Sequence, residues 1–115
     1  MSETIKEFLK RNAKVPGLMA LAVQYPDKTV NTQKCSRDFP GEVLENAWRS
    51  LMEAIPVLKL NQLPSARFRW VYTEAIVHCE YRKDGSCLGI FGARGNNELN
   101  DLEIDRLVAE FHAVP

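Results

Sequence analysis

The sequence predicts a single α/β domain, covering 1–115, that combines an antiparallel meander with helices. Apolar and polar residues alternate from Arg67 to Gly92, which is the two-residue period of strands with one buried face. The Asp-Gly pair at 84–85 interrupts this alternation and indicates a hairpin. Two further segments, 40–55 and 104–111, carry apolar residues at helical spacing. The predicted order of elements is α-β-β-α-β-β-β-α, within the usual length of one domain.

The composition is that of an ordinary globular domain and excludes several classes of protein. Hydrophobic residues make up 45% and charged residues 26% of the chain, and 15 basic residues balance 15 acidic ones. This balance argues against nucleic acid as the main partner. No apolar run approaches the roughly 18 residues of a membrane span, and the polar N-terminus is unlike a signal peptide, so we expect no membrane insertion. Three cysteines form no disulfide framework, which favours reduced thiols in a cytoplasmic protein.

The first third of the chain predicts one helix and a strand hairpin. Ser2 is a suitable N-cap, and Val15–Gly17 would end the helix. The nearly continuous apolar run Leu18–Tyr25 predicts a central strand buried on both faces. Pro26–Lys28 is expected to form a turn, and the more polar Thr29–Lys34 an edge strand. The apolar face of this first helix would contain Ile5, Phe8 and Leu9.

The second helix is predicted from Asp38, as the N-cap, to a stop at Pro56, with Pro40 in its first turn. Its apolar stripe is two residues wide on every turn and contains Val43, Leu44, Ala47, Trp48, Leu51, Met52 and Ile55. The simplest interpretation is a helix that lies on the sheet. The alternative is that so wide a stripe also contacts a partner, with Leu44 and Leu51 facing outward.

The turns predict the register of the meander. A turn at Thr73–Glu74 places Trp70 opposite Val77, and a two-residue turn at 84–85 places Tyr81 opposite Leu88. One face would then contain Phe68, Trp70, Tyr72, Ala75, Val77, Cys79, Tyr81, Leu88 and Ile90. The other face would contain Arg69, Val71, Ile76, His78, Glu80, Arg82, Cys87 and Phe91.

The last helix has a recognisable N-terminus. Asn100 followed by Glu103 resembles a capping box, and Leu99 with Ile104 resembles a hydrophobic staple. Its apolar face would contain Ile104, Leu107, Val108 and Phe111.

No pattern in the sequence indicates catalysis. His78 and Glu80 would share a strand face with Cys87, but three scattered groups make a poor metal site, and a structural histidine is the simpler interpretation. The glycines at 89, 92 and 95 match neither dinucleotide-binding nor P-loop spacing and favour close packing and a loop turn. We therefore expect no enzyme activity, no cofactor and no metal.

Several features together resemble the roadblock/dynein light-chain family, which has a profilin-like fold. They are a short first helix, Val-Pro-Gly-Leu at 15–18 leading into LMALAVQY, the wide-striped helix Pro40–Ile55, the meander at 67–92 and a closing helix. The resemblance implies a five-stranded antiparallel sheet in the order 2-1-5-4-3. It also implies that the first and last helices cover one face, and that the second helix covers the other.

The same resemblance implies a function in protein binding. Members act as non-catalytic dimeric platforms that bind or regulate small Ras-like GTPases, or as adaptors. The homodimer would use the second helix and the third strand, through Val43, Leu44, Ala47, Trp48, Leu51, Met52, Arg67, Arg69 and Val71. The alternative is a small-molecule sensor of profilin-like or PAS-like build, with a pocket between the sheet and the second helix lined by Trp48, Trp70 and Tyr72.

Overall fold

The structure is a computed structural model that describes residues 3–35, 41–60, 67–72, 75–82, 84–95 and 98–114, without the side chains of 41, 43, 55–60, 67 and 68. In chain order the elements are α1 (Ile5–Arg11), β1 (Leu18–Gln24), β2 (Val30–Lys34), α2 (Gly41–Leu60), β3 (Arg67–Val71), β4 (Ala75–Tyr81), β5 (Cys87–Ala93) and α3 (Asp101–Ala113). The predicted order of elements is confirmed.

The five strands form one antiparallel sheet in the order β2-β1-β5-β4-β3. The sheet order that the family resemblance implies is therefore confirmed. β1, β5 and β4 lie in the interior of the sheet, while β2 and β3 lie at its two ends. Among the described residues, no helix is long and apolar enough to span a membrane.

Helices cover both faces of the sheet. On one face, α1 and α3 pack on β1 and β5, and the core there contains Phe8, Leu21, Leu88, Ile90, Leu107 and Phe111. On the other face, α2 packs on β1, β4 and β5, and the core contains Ala20, Ala22, Leu44, Trp48, Leu51, Val77, Cys79, Cys87 and Phe91. We refer to these as the α1/α3 face and the α2 face.

The predicted register between β3 and β4 is confirmed, because Arg67 lies opposite Glu80 and Trp70 opposite Val77. The predicted register between β4 and β5 is wrong by one residue. Tyr81 lies opposite Cys87, rather than opposite Leu88. Cys87 and Phe91 consequently face α2, and Leu88 and Ile90 face α1 and α3, the reverse of the prediction.

The reason for this shift is a three-residue loop where a two-residue loop was expected. The Arg82 N–H donates to Ser86 O at 3.0 Å, and the Gly85 N–H donates to Arg82 O at 3.0 Å. Gly85 has φ +91°, the left-handed conformation of the last residue in this loop type. The extra residue moves every β5 side chain to the opposite face.

The helix ends differ from the predictions at two places. Thr4, not Ser2, caps α1, and Thr4 and Glu7 form a complete capping box. α2 continues through Pro56 to Leu60, although a proline removes one intrahelical hydrogen bond and commonly ends a helix. The predicted N-cap Asp38 and the predicted turn at Thr73–Glu74 lie outside the described residues. At α3, Asn100 caps the helix as predicted, but the Glu103 carboxylate accepts from Arg106.

Candidate interaction surface

β3 is the strand of the meander that lies at the end of the sheet, and its outer side is exposed. Val71 is 51% exposed and Tyr72, just beyond the strand, is 43% exposed. Arg69 is also exposed. Arg94 holds the end of this strand, since its Nη1 donates to Tyr72 O at 2.9 Å. An exposed edge with apolar side chains is an interaction site unless it is covered or paired.

Three of the five described side chains in the apolar stripe on α2 belong to the core of the domain. Leu44 and Leu51 are each 2% exposed, and both pack on the sheet together with Trp48. The expectation that Leu44 and Leu51 face outward is therefore wrong. Ala47 and Met52 adjoin this core but are only partly buried. A partner could contact α2 beside these two residues without opening the core.

The residues predicted for a dimer interface thus fall into three groups. The buried group is Leu44, Trp48 and Leu51. The accessible group is Ala47, Met52, Arg69 and Val71. The side chains of Val43 and Arg67 lie outside the described residues. Tyr72 was missed as a surface residue because its sequence position placed it on the buried face. Its place at the end of an edge strand, just before the predicted turn, is the signal that could have identified it.

Trp48 is the central side chain of the α2 face. Its ring centroid lies 6.2 Å from that of Phe91, and its benzene edge lies over Gly89, where a Cβ atom would be 2.0 Å from Cζ3. Trp48 Nε1 is buried and has no hydrogen-bond partner in the described part of the chain. A buried donor without an acceptor costs about 1–3 kcal/mol, so Trp48 is held by packing.

The three aromatic residues predicted to line a ligand pocket do not come together around one. Trp48 and Trp70 belong to the core under α2, and Tyr72 is exposed at the sheet edge. Trp48 instead lines a groove of about 620 Å³ between α2 and the β1–β2 hairpin, with Tyr25, Met52 and Tyr81 among the other lining residues. This groove opens to solvent and is not an enclosed cavity.

His78 and Glu80 point to the same side of β4, as predicted. The Glu80 carboxylate contacts His112 of α3, with 3.1 Å between Oε1 and Nε2. Cys87, which was expected on this side, lies on the opposite face because of the register shift. In the described ranges, no group of three possible ligands could hold a metal ion.

The buried thiols are poor nucleophiles in this environment. Cys79 and Cys87 share the α2 face, where the Cys87 Sγ donates to Leu88 O. The neighbouring Cys87 thiol and burial both raise the pKa of Cys79 above its ordinary value. Burial likewise raises the pKa of Cys35 to about 11, and that of Tyr81 to about 12. Because only the thiolate is reactive, these groups offer little nucleophilic chemistry near neutral pH.

The glycines serve the packing and turn roles that their spacing predicted. Gly89 lies under Trp48, and Gly92 lies against Leu99, whose Cβ would be 3.1 Å from an added Cβ. Gly95 has φ +108°, which a side chain rarely adopts. Arg94, considered as an anion ligand in this loop, instead donates to the backbone at the end of β3.

Comparison with known proteins found no matching family model, no matching curated protein and no matching solved structure. Membership of the roadblock family therefore stays a prediction from the order of the elements.

Proposed function

We propose that this chain acts as a homodimeric, non-catalytic adaptor or regulator of a small Ras-like GTPase in the cytoplasm. The observation that carries the dimer is the exposed strand β3, with Arg69, Val71 and Tyr72 along an edge that no described strand covers. A second copy of β3 would pair the free backbone groups of this edge. Such an isologous contact closes on itself, because each copy presents the same surface.

α2 supports this proposal from the adjacent surface. Trp70 of β3 packs against the core under α2, so the helix and the edge strand belong to the same side of the domain. The partly buried Met52 and Ala47 leave apolar area beside that core. A contact that joins the strand edge to this part of the helix should bury more than roughly 1,000 Å², as stable dimers do.

The GTPase part of the proposal has separate support. The strand order β2-β1-β5-β4-β3 and the division of the helices between the two faces equal those implied by the roadblock resemblance. Weakly nucleophilic thiols fit a protein that acts by binding rather than by its own chemistry. Balanced charge allows two copies to approach without net repulsion.

The dimer is tested by placing a charge on the proposed edge. Val71→Lys should give monomers at tens of micromolar in sedimentation equilibrium, because it adds a positive charge beside Arg69 on the proposed edge, and like charges at opposed positions destabilise a strand pair. Val30→Lys is the matched control, since Val30 is 40% exposed on β2, the opposite edge. It should leave the dimer intact. A monomeric wild type, or equal effects of the two variants, would contradict the dimer.

The GTPase partner is tested by affinity capture from the native lysate with the nucleotide state controlled. Wild-type protein should retain a small GTPase, with a difference between GDP and a non-hydrolysable GTP analogue, and Val71→Lys should retain less. Titration of the purified GTPase then gives its affinity and shows whether hydrolysis accelerates. Capture of partners that bind no nucleotide would favour the adaptor function alone.

The groove beside Trp48 favours a second candidate function, that of a small-molecule sensor. Its volume of about 620 Å³ falls within the size of ligand sites, and its lining includes the aromatic residues Tyr25, Trp48 and Tyr81. A thermal-shift screen of metabolites, repeated with Arg49→Trp to fill the groove, tests this function. A ligand that stabilises both proteins equally would bind elsewhere.

A further inference from the structure

The backbone of β3 restricts how a second copy could pair with it. The Tyr72 N–H donates to Ala75 O at 2.8 Å, so the backbone groups of Tyr72 point toward β4. In an antiparallel ladder this direction alternates along the strand. The positions whose N–H and C=O groups point away from β4, toward a second copy, are therefore Arg67, Arg69 and Val71.

Only a few two-fold pairings agree with this alternation. Two strands hydrogen-bond only where residues whose N–H and C=O groups point away from β4 lie opposite each other. Because such residues alternate along β3, the two-fold axis must pass beside a residue and not between two residues. Apart from Arg67, whose axis would overlap the two β3 strands at their first residue alone, the possible centres within the strand are Phe68, Arg69, Trp70 and Val71. Each centre gives a different set of opposed residues. The arginine charges of β3 make some of these sets less stable than others.

Two of these registers oppose arginines directly. An axis at Arg69 places Arg69 opposite itself in the second copy, and an axis at Phe68 places Arg67 opposite Arg69 twice. Like charges at directly opposed positions destabilise a strand pair. An axis at Val71 avoids this, but it overlaps the two β3 strands at their last residue alone.

We propose that β3 pairs with a second copy of itself in the register whose two-fold axis passes beside Trp70. This inference rests on the dimer proposed above and specifies its geometry. Arg69 of each copy lies opposite Val71 of the other, and the stretch from Phe68 to Tyr72 is paired throughout. Cross-strand pairs of aromatic residues stabilise a sheet, and this register sets Trp70 opposite Trp70.

The faces of the joined sheet then differ in character. Trp70 packs on the α2 face, so the two opposed tryptophans lie on the side of the two α2 helices. Arg69 and Val71 alternate with Trp70 and lie on the other side. There each guanidinium can extend its apolar stem over a valine while its charge stays in water.

Disulfide cross-linking distinguishes the registers. Opposed residues in a hydrogen-bonded pair have Cα atoms about 5.5 Å apart, within the range that a disulfide can bridge. Arg69→Cys and Val71→Cys both alter exposed positions. After subunit exchange between a tagged and an untagged variant, mild oxidation should cross-link Arg69→Cys to Val71→Cys. Neither variant should cross-link to itself, and Val30→Cys on β2 should give no product with either.

Each other outcome has a defined meaning. A cross-link of Arg69→Cys to itself would overturn the Trp70 register in favour of the Arg69 register, while the dimer would stand. A cross-link of Val71→Cys to itself would indicate the Val71 register. A wild type that sediments as a monomer would overturn the dimer and the register together.

Amide hydrogen exchange of the unmodified protein gives an independent measurement if a cysteine variant fails to dimerise. In the Trp70 register the amides of Arg69 and Val71 become protected as the dimer forms, while that of Arg67 stays outside the paired stretch. Equal protection of all three amides would overturn this register, because it is the pattern of an axis at Arg69.

Discussion

The two faces of the sheet differ in which element supplies the large side chains of the core. On the α1/α3 face the sheet supplies large side chains, including Leu21, Val23, Leu88 and Ile90, and two helices cover them. On the α2 face the central strands supply small residues at Ala20, Ala22 and Gly89, and the bulk comes from the helix through Trp48. The sheet therefore supplies most of the bulk on the α1/α3 face, whereas on the α2 face the Trp48 ring fills the space over the small central residues.

The described polar contacts also differ between the two faces. On the α1/α3 side the Glu110 carboxylate accepts from both Arg11 and Arg106, which joins α1 to α3. The buried Asn12 continues this network, since its Oδ1 accepts from Arg106 and its Nδ2 donates to Phe8 O. On the α2 side the buried Trp48 Nε1 has no partner within the described ranges.

The largest expected effect comes from Gly89→Ala, which places a methyl group against the Trp48 ring on the α2 face. The added Cβ would lie 2.0 Å from Trp48 Cζ3, and the ring is confined by Phe91. We expect a loss of about 3 kcal/mol in the free energy of unfolding, the upper range for overpacking a core. Urea denaturation measures this loss. Adding Trp48→Leu should make the alanine much less harmful, and additive effects of the two changes would show that the ring is not the obstacle.

Gly92→Ala makes the same substitution on the other face of the same strand, and its effect should be smaller. Here the nearest atoms to an added Cβ are Leu99 Cβ at 3.1 Å and Cδ2 at 3.2 Å. These contacts are tight, but Leu99 lies in a connecting segment and can move by the few tenths of an ångström required. We expect a loss of about 1 kcal/mol, again from urea denaturation. If Gly92→Ala proves as costly as Gly89→Ala, the contrast between the faces is wrong.

The comparison also explains which predictions the sequence could support. The register of β3 with β4 was predictable because each strand presents one apolar and one mixed face, which fixes the pairing. β5 is buried on both faces, so its pattern gave no independent check on the turn, and the three-residue loop ending at Gly85 shifted its pairing. For α2, a wide apolar stripe indicated burial but could not separate Leu44, which faces the sheet, from Met52, which is partly exposed.

The smallest expected effect is a dependence on pH that belongs to the α1/α3 face. Burial alone would raise the pKa of Glu110, but hydrogen bonds and charge from Arg11 and Arg106 outweigh it, so the pKa lies below its ordinary value of 4.5. A carboxyl with a lowered folded-state pKa stabilises the protein above the pKa of the unfolded chain. That stability is lost as the pH falls below about 4.5 and through the folded-state pKa.

Glu110→Gln isolates this contribution, because the glutamine stays neutral at every pH. At pH 7 the variant should be less stable than the wild type by about 1 kcal/mol or less, the range of partly exposed ion pairs. The difference between the two proteins should shrink as the pH falls through the window below 4.5, where the wild-type carboxyl takes up a proton. Urea denaturation of both proteins at neutral and at acid pH measures it. A difference that is the same at both pH values would mean that the charge on Glu110 does not join α1 to α3.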